Sequence, residues 1–305
     1  MPNSPAAAAG SAAPINPSTP AGAAGGGAST ATPSGPDVAL KNSAKFTNYM
    51  ADVSGRSLYM FANDVPGSNT SACSGACLDK WPVFDAKEIE VGAGLMAADF
   101  TRFQRTEGTW QTAYKGHPLY RFAMDTTEGA VNGDGAMGRW FVARDYIAFL
   151  AVKPELTPQG ASAAASPYMT NRMGRTVYVF MNDTAGKAGT SPVSACSDMC
   201  LDAWPTWNAP MAAGALTLPS SMAASDFGQL ERTVGGMTVK QLTYRGWPLY
   251  FHTPDMMPGT TSGHMTGAWR AFDPTMFGKA AATGTASSTA GSAAMGAAGT
   301  GAYKP

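Results

Sequence analysis

The chain has 305 residues, with 21 basic and 21 acidic side chains and a formal net charge of zero. Charged residues make up 14% of it, against roughly 25% in an average soluble domain. A balanced, weakly charged chain offers no basic face to nucleic acid and no polybasic patch to anionic lipid, so neither is expected as a partner.

In chain order, residues 1–44 read as a tether. There is no charged residue from Met1 to Gly35, only text such as "AAAAGSAAP" and "AGAAGGGAST". Such composition cannot bury enough apolar surface to offset chain entropy and is expected to be disordered. No charged n-region followed by an apolar h-region is present, so residue 1 is expected to mark a mature or trimmed start. Low-complexity stretches of this kind follow the lipid-bearing cysteine of many bacterial lipoproteins. Membrane contact is therefore expected only through such an anchor ahead of residue 1.

The remainder is an internal repeat. "GRSLYMFANDVPG" at Gly55 returns as "GRTVYVFMNDTAG" at Gly174, "CSGACLDKWP" at Cys73 as "CSDMCLDAWP" at Cys196, and "YKGHPLYRFAMD" at Tyr114 as "YRGWPLYFHTPD" at Tyr244. "ADFTRFQRTEG" is likewise echoed by "SDFGQLERTVG". This predicts a first domain over 45–152, a linker over 153–166, a second domain over 167–276 and a disordered tail over 277–305. Each domain is long enough for one core.

A shorter echo lies inside each domain. Tyr59 and Asp64, Tyr120 and Asp125, Tyr178 and Asp183, and Tyr250 and Asp255 are each five residues apart, and a glycine follows each pair: Gly67, Gly129, Gly186 and Gly259. Aromatic and branched residues alternate with period two before each Asp, the pattern of a strand running into a turn. The Asp is read as an acceptor for turn backbone N–H groups, with a ligand-binding carboxylate beside a stacking Tyr as the functional alternative. "RTEGTWQTAY" predicts a hairpin, "GRWFVAR" and "GAWRAF" closing strands, and the residues around Cys77–Trp81 and Cys200–Trp204 two short helices, each stopped by a proline. The fold class is mostly β: two tandem small antiparallel domains, sandwich or barrel, each with one short helix.

These units resemble the secreted-repeat lipoproteins of bacteria and archaea, a family with a tandem Tyr-x-aromatic-x-x-Asp pattern. The resemblance is carried by "YMFAND", "YRFAMD", "YVFMND", "GRSLY" and "GHPLY". It implies a cell-envelope location and tandem architecture, and it carries over no catalytic residue. The fourth unit, "YFHTPD", departs from the pattern by placing His252 at the aromatic position.

Cys73 with Cys77 and Cys196 with Cys200 form two C-x3-C pairs, read as local disulfides of an oxidising compartment, with a redox or copper site as the alternative. His117 has Trp247 as its counterpart, so a metal site using it would not recur in the second domain. In that domain His252, Met256, Met257, His264 and Met265 fall close together, and imidazole with thioether suits copper; chance and core filling are the competing reading. "NGDG" at Asn132 has too few oxygens for calcium and becomes "SGHM" at Ser262. No Ser/His/Asp set repeats, and no Gly-rich loop lies between strand and helix to cradle phosphate. No enzyme and no cofactor are expected. The expected function is a non-catalytic envelope module that contacts a protein, glycan or matrix, with a copper-binding or redox protein as the alternative.

Overall fold

The computed structural model describes residues 35–153, 156, 166–187, 189–209 and 216–277. The disorder expected of residues 1–34, of most of the join and of the tail from 278 lies outside them. In the first repeat β1 (Val38–Lys41) pairs with β2 (Tyr49–Asp52), β3 (Tyr59–Phe61) with β7 (Trp140–Val142), and β4 (Phe100–Gln104), β5 (Trp110–Tyr114) and β6 (His117–Pro118) form a third sheet, all antiparallel. The helix α1 is Cys77–Lys80. In the second repeat β8 (Ala148–Lys153) pairs with β9 (Ser166–Asn171), β10 (Tyr178–Phe180) with β14 (Trp269–Ala271), and β11 (Phe227–Val234), β12 (Met237–Tyr244) and β13 (Trp247–Pro248) form the third sheet. Its helix, α2, is Met199–Ala203. The expected mostly-β class with one short helix per repeat is what the chain forms, as small open sheets of two or three strands and no closed barrel among the described residues.

Alternation places a different core on each face of the β3–β7 sheet. Leu58, Met60 and Phe141 join Val38, Met50 and Leu119 in a mixed layer of aliphatic side chains and of Phe and Tyr rings, without tryptophan. Tyr59, Trp140 and Val142 join Tyr49, Trp81 and Tyr120 in an aromatic layer. The second repeat splits the same way, with Val177, Val179 and Leu249 on one side and Tyr178, Trp204 and Trp269 on the other. Period-two strands with both faces buried produce this separation. The strand expected through Leu119 and Phe122 is shorter than its alternation suggested. Pro118 ends β6, and Tyr120 instead bridges Tyr59 on one side and Val83 on the other.

The domain ends differ from the sequence reading. Val38–Lys41, inside the expected tether, is a strand. Its counterpart is β8, placed by the sequence at the end of the first domain. Val38 faces Asp52 as Ala148 faces Asn171, and Asp52 and Asn171 cap the same turn, accepting the N–H of Arg56 and Arg175. Strand β8 serves both cores: Ala148 and Leu150 enter the second, while Phe149 enters the first against His117, Phe141 and Tyr146. Strands β8 and β9 pair across the expected linker, Val152 facing Pro167.

A strand with faces in two cores couples their unfolding. Phe149→Ala is expected to cost about 3–5 kcal/mol and to shift one shared transition in calorimetry. Two separated transitions, with only the first moved, would contradict the shared strand.

Candidate functional site

The four motif tyrosines and aspartates are brought together in reciprocal pairs across units, not within them. Tyr120 Oη donates to Asp64 Oδ2 at 2.6 Å, and Tyr59 Oη donates to Asp125 Oδ2. In the second repeat Tyr250 Oη donates to Asp183 Oδ2 at 2.7 Å and Tyr178 Oη to Asp255 Oδ2. The backbones exchange bonds too: Tyr59 N–H reaches Tyr120 O at 2.8 Å and Tyr120 N–H reaches Tyr59 O at 3.0 Å. A local pseudo-twofold axis therefore passes between the two units of each repeat.

The other oxygen of each aspartate accepts a loop N–H. Asp64 Oδ1 takes Ala72 at 2.7 Å, Asp125 takes Asn132 at 3.0 Å, Asp183 takes Ala195 at 2.7 Å and Asp255 takes Ser262 at 3.1 Å. The turn-acceptor role covers one carboxyl oxygen, and the second is taken by a tyrosine more than fifty residues away in sequence. The motif glycines follow the same exchange: Gly67 N–H donates to Gly116 O and Gly129 N–H to Gly55 O. Gly116 has φ +81°, and a Cβ there would lie 2.6 Å from Gly67 N, so both conformation and proximity require glycine.

The motif's aromatic position builds a four-ring stack. Phe122 lies on Trp81 (4.4 Å between centroids), Trp81 on Trp140 (3.8 Å) and Trp140 on Phe61 (4.2 Å). Tyr59 and Tyr120 meet the two indoles edge-on, which suits the ring quadrupoles. In the second repeat the order is His252, Trp204, Trp269 and Phe180, spaced 4.2, 3.9 and 4.4 Å. His252 thus stands where Phe122 stands, and a flat imidazole keeps the stack intact.

Residues 49–85 and 101–144 match the Lipoprotein_15 family, described as a secreted repeat of unknown function. The chain carries the secreted repeat. No curated protein and no solved structure matches it. Each matched segment supplies one Tyr, one Asp and one Trp of the lacing, so two secreted repeats complete one core. Residues 166–277 fall outside the matched segments but show the same lacing and stack. The family description points to a location outside the cytoplasm, and among the described residues no helix is long and apolar enough to cross a membrane.

The cysteines form the disulfides Cys73–Cys77 and Cys196–Cys200. Each loop is so short that chain entropy gives only about 2 kcal/mol. The bridges hold α1 and α2, whose ends carry Trp81 and Trp204 into the stack. A guanidinium that the sequence reading missed, buried in the first repeat and partly buried in the second, braces each bridge. Arg105 donates to Gln111 Oε1 and to Cys73 O, both at 2.5 Å, and Arg232 to Gln241 Oε1 at 3.2 Å and to Cys196 O. Ser71 and Ser194 hydroxyls meet Tyr120 and Tyr250 at 2.5 and 2.6 Å. The shared "SAC" and "RT-x-G" texts were the available signal for these groups.

The two histidines expected as metal ligands in the second repeat have structural partners. His252 Nδ1 lies 3.2 Å from Ser262 Oγ. His264 Nδ1 accepts the Ala271 N–H at 3.1 Å, the bond that Asp134 Oδ1 makes to Val142 N–H in the first repeat. Met256, Met257 and Met265 are exposed. Among the described residues no group of three or more His, Cys, Asp or Glu is placed to hold a metal. A recess of about 520 Å³ opens at the seam between the repeats, lined among others by Leu95, Met96 and Ile147. Its charges are paired: Lys115 with Asp145 at 2.8 Å and Asp145 with Arg172 at 3.3 Å.

Burial and the facing carboxyls push all four tyrosine hydroxyls upward, so they remain protonated donors. Burial lifts Asp64 to about 6 and raises Asp183. At Asp255 burial acts upward too, but the bonds from Ser262 and Tyr178 outweigh it and hold the group below its usual range. His117 is buried with no partner for Nδ1, and burial lowers it to about 4.

Tyr59→Phe leaves a buried oxygen of Asp125 without its donor and is expected to cost about 1–3 kcal/mol by denaturant titration. Asp125→Ala on that background is expected to cost less than it does alone; full additivity would show that the pair is not coupled. His117 binds its proton less well folded than unfolded, so acidification from its ordinary 6.5 towards 4 destabilises the native state. Asp64 acts oppositely, favouring the native state at pH below about 6, so the histidine is isolated by comparison with His117→Phe. The variant is expected to escape an acid loss of up to about 3 kcal/mol; parallel pH curves for the two proteins would refute this.

Proposed function

We propose that the chain is a non-catalytic extracellular module, a rigid scaffold that works by surface contact with an envelope protein, a glycan or a matrix. The observation that carries this reading is the inward satisfaction of the signature groups. Every motif Tyr and Asp is buried and bonded to its opposite number, and every described aromatic of the motif position lies in a stack. Groups committed to holding the fold in both repeats are not free to turn over a substrate, which leaves the differing outer surface for recognition. The seam recess, with Asp145 and Arg172 at its edge, is the contact area that the geometry favours.

The test is sedimentation of the purified protein with cell envelopes from its producing organism. Saturable binding is expected, weakened at least fivefold by the charge reversal Arg172→Glu, whose half-exposed side chain makes the recess's outermost ion pair, with a melting temperature close to that of the unaltered chain. Prior digestion of the envelopes with protease or glycanase separates a protein from a glycan partner. Failure to saturate, or turnover of an envelope component by the protein, would overturn the reading.

A further inference from the structure

The exposed apolar side chains are chemically selected. Among the described residues the strongly exposed large apolar side chains are eleven methionines, two valines and one tryptophan, with no leucine, isoleucine or phenylalanine. Methionine is ordinarily among the more buried residue types, and here only Met50, Met60, Met169 and Met222 are buried among the described ones. A surface tolerant of any apolar group, or an apolar docking face, would hold leucine and phenylalanine as well. What distinguishes the thioether from them is its sulfur, which two-electron oxidants attack.

The positions fit that chemistry. Met137 is 83% exposed and Met199 85%. Met137 lies three residues before Trp140, and Met199 begins the helix that carries Cys200 and leads into Trp204. Met256 and Met257, 71% and 67% exposed, follow Asp255 directly, and Met265 precedes Trp269 by four residues. Five of the eleven exposed sulfurs thus lie within a few residues in sequence of the stacked indoles or of the lacing aspartates, and the indoles are themselves oxidisable groups on which both cores depend.

We propose that these methionines are a sacrificial sink for hypohalous acids, shielding the tryptophan stacks of a module that works outside the cytoplasm. In each event the sulfur attacks the halogen of HOX and loses two electrons: the S–X bond forms as the O–X bond breaks and hydroxide leaves. Water then adds to the halosulfonium, the S–X bond breaks with loss of halide, and two protons leave as the sulfoxide S–O bond forms, one of them neutralising the hydroxide. The product side chains remain in water, so the fold does not have to accommodate them.

The test is a titration of the full chain with hypochlorous acid, followed by peptide mass spectrometry, tryptophan fluorescence and far-UV circular dichroism. Exposed methionines such as Met137 and Met199 are expected to gain one oxygen each while Met50, Met60 and Met169 stay unmodified and both spectra hold. In the variant Met137→Leu/Met199→Leu/Met237→Leu/Met256→Leu/Met257→Leu, tryptophan emission is expected to fall at a dose lower by about five oxidant equivalents per chain. The wild-type order of modification decides the matter should that variant fail to fold. Oxidation of Met50 and Met169 at the same dose as Met137, loss of the fold as the exposed thioethers oxidise, or equal tryptophan loss in variant and wild type would each overturn the proposal.

Discussion

The fold depends on a hydrogen bond that neither unit can make alone. Each secreted repeat ends its strand in an aspartate whose second oxygen lies in the aromatic layer, and the tyrosine that satisfies it comes from the other unit. A buried carboxyl without that donor is costly, and so is a buried phenol without an acceptor. Association of two units removes both costs at once. The backbone exchange between Tyr59 and Tyr120 fixes the register in which this happens. The indole pair then stacks across the same axis, adding about 0.5–1.5 kcal/mol per ring contact beyond area burial.

Two features follow from that constraint. The disulfides need only be local, because their task is to hold the short helix that delivers one indole; long-range order comes from the lacing. The departure at His252 is tolerated because the stack asks for a flat ring against Trp204, and imidazole supplies one. Its neighbour His264 takes over an acceptor role from an aspartate. The second repeat thus carries different residues at these positions while keeping the stack on Trp204 and the backbone bond to the closing strand.

The parts of this architecture that are local in sequence were legible. Period-two alternation marked the strands near Tyr59 and Trp140, the glycines marked the hairpins, and the C-x3-C spacing ahead of Trp-Pro marked the bridged helices. The exchange of partners was not, because a five-residue spacing between Tyr and Asp suggests a bond within the unit and carries no information about which Asp lies across the axis. Strand β1 was hidden for a different reason: "VALK" is four residues long beside low-complexity text, and its order comes from pairing with β2 and from the core behind Val38. Residues up to 152 were placed in the first domain from the repeat alone; that Phe149 faces one core while Ala148 and Leu150 face the other is a tertiary fact. Arg105 and Arg232 lie in the hairpin texts, where nothing local signals the cysteine carbonyls they serve.

If two units are required for one core, residues 35–99 carry Asp64 without Tyr120 and Tyr59 without Asp125. Amide hydrogen exchange on that fragment, alone and then mixed with residues 100–153, tests the lacing most directly. Unprotected amides in the isolated fragment, with protection at Tyr59 appearing on mixing, is the predicted result. A fragment that folds by itself with a slowly exchanging Tyr59 amide would contradict the account.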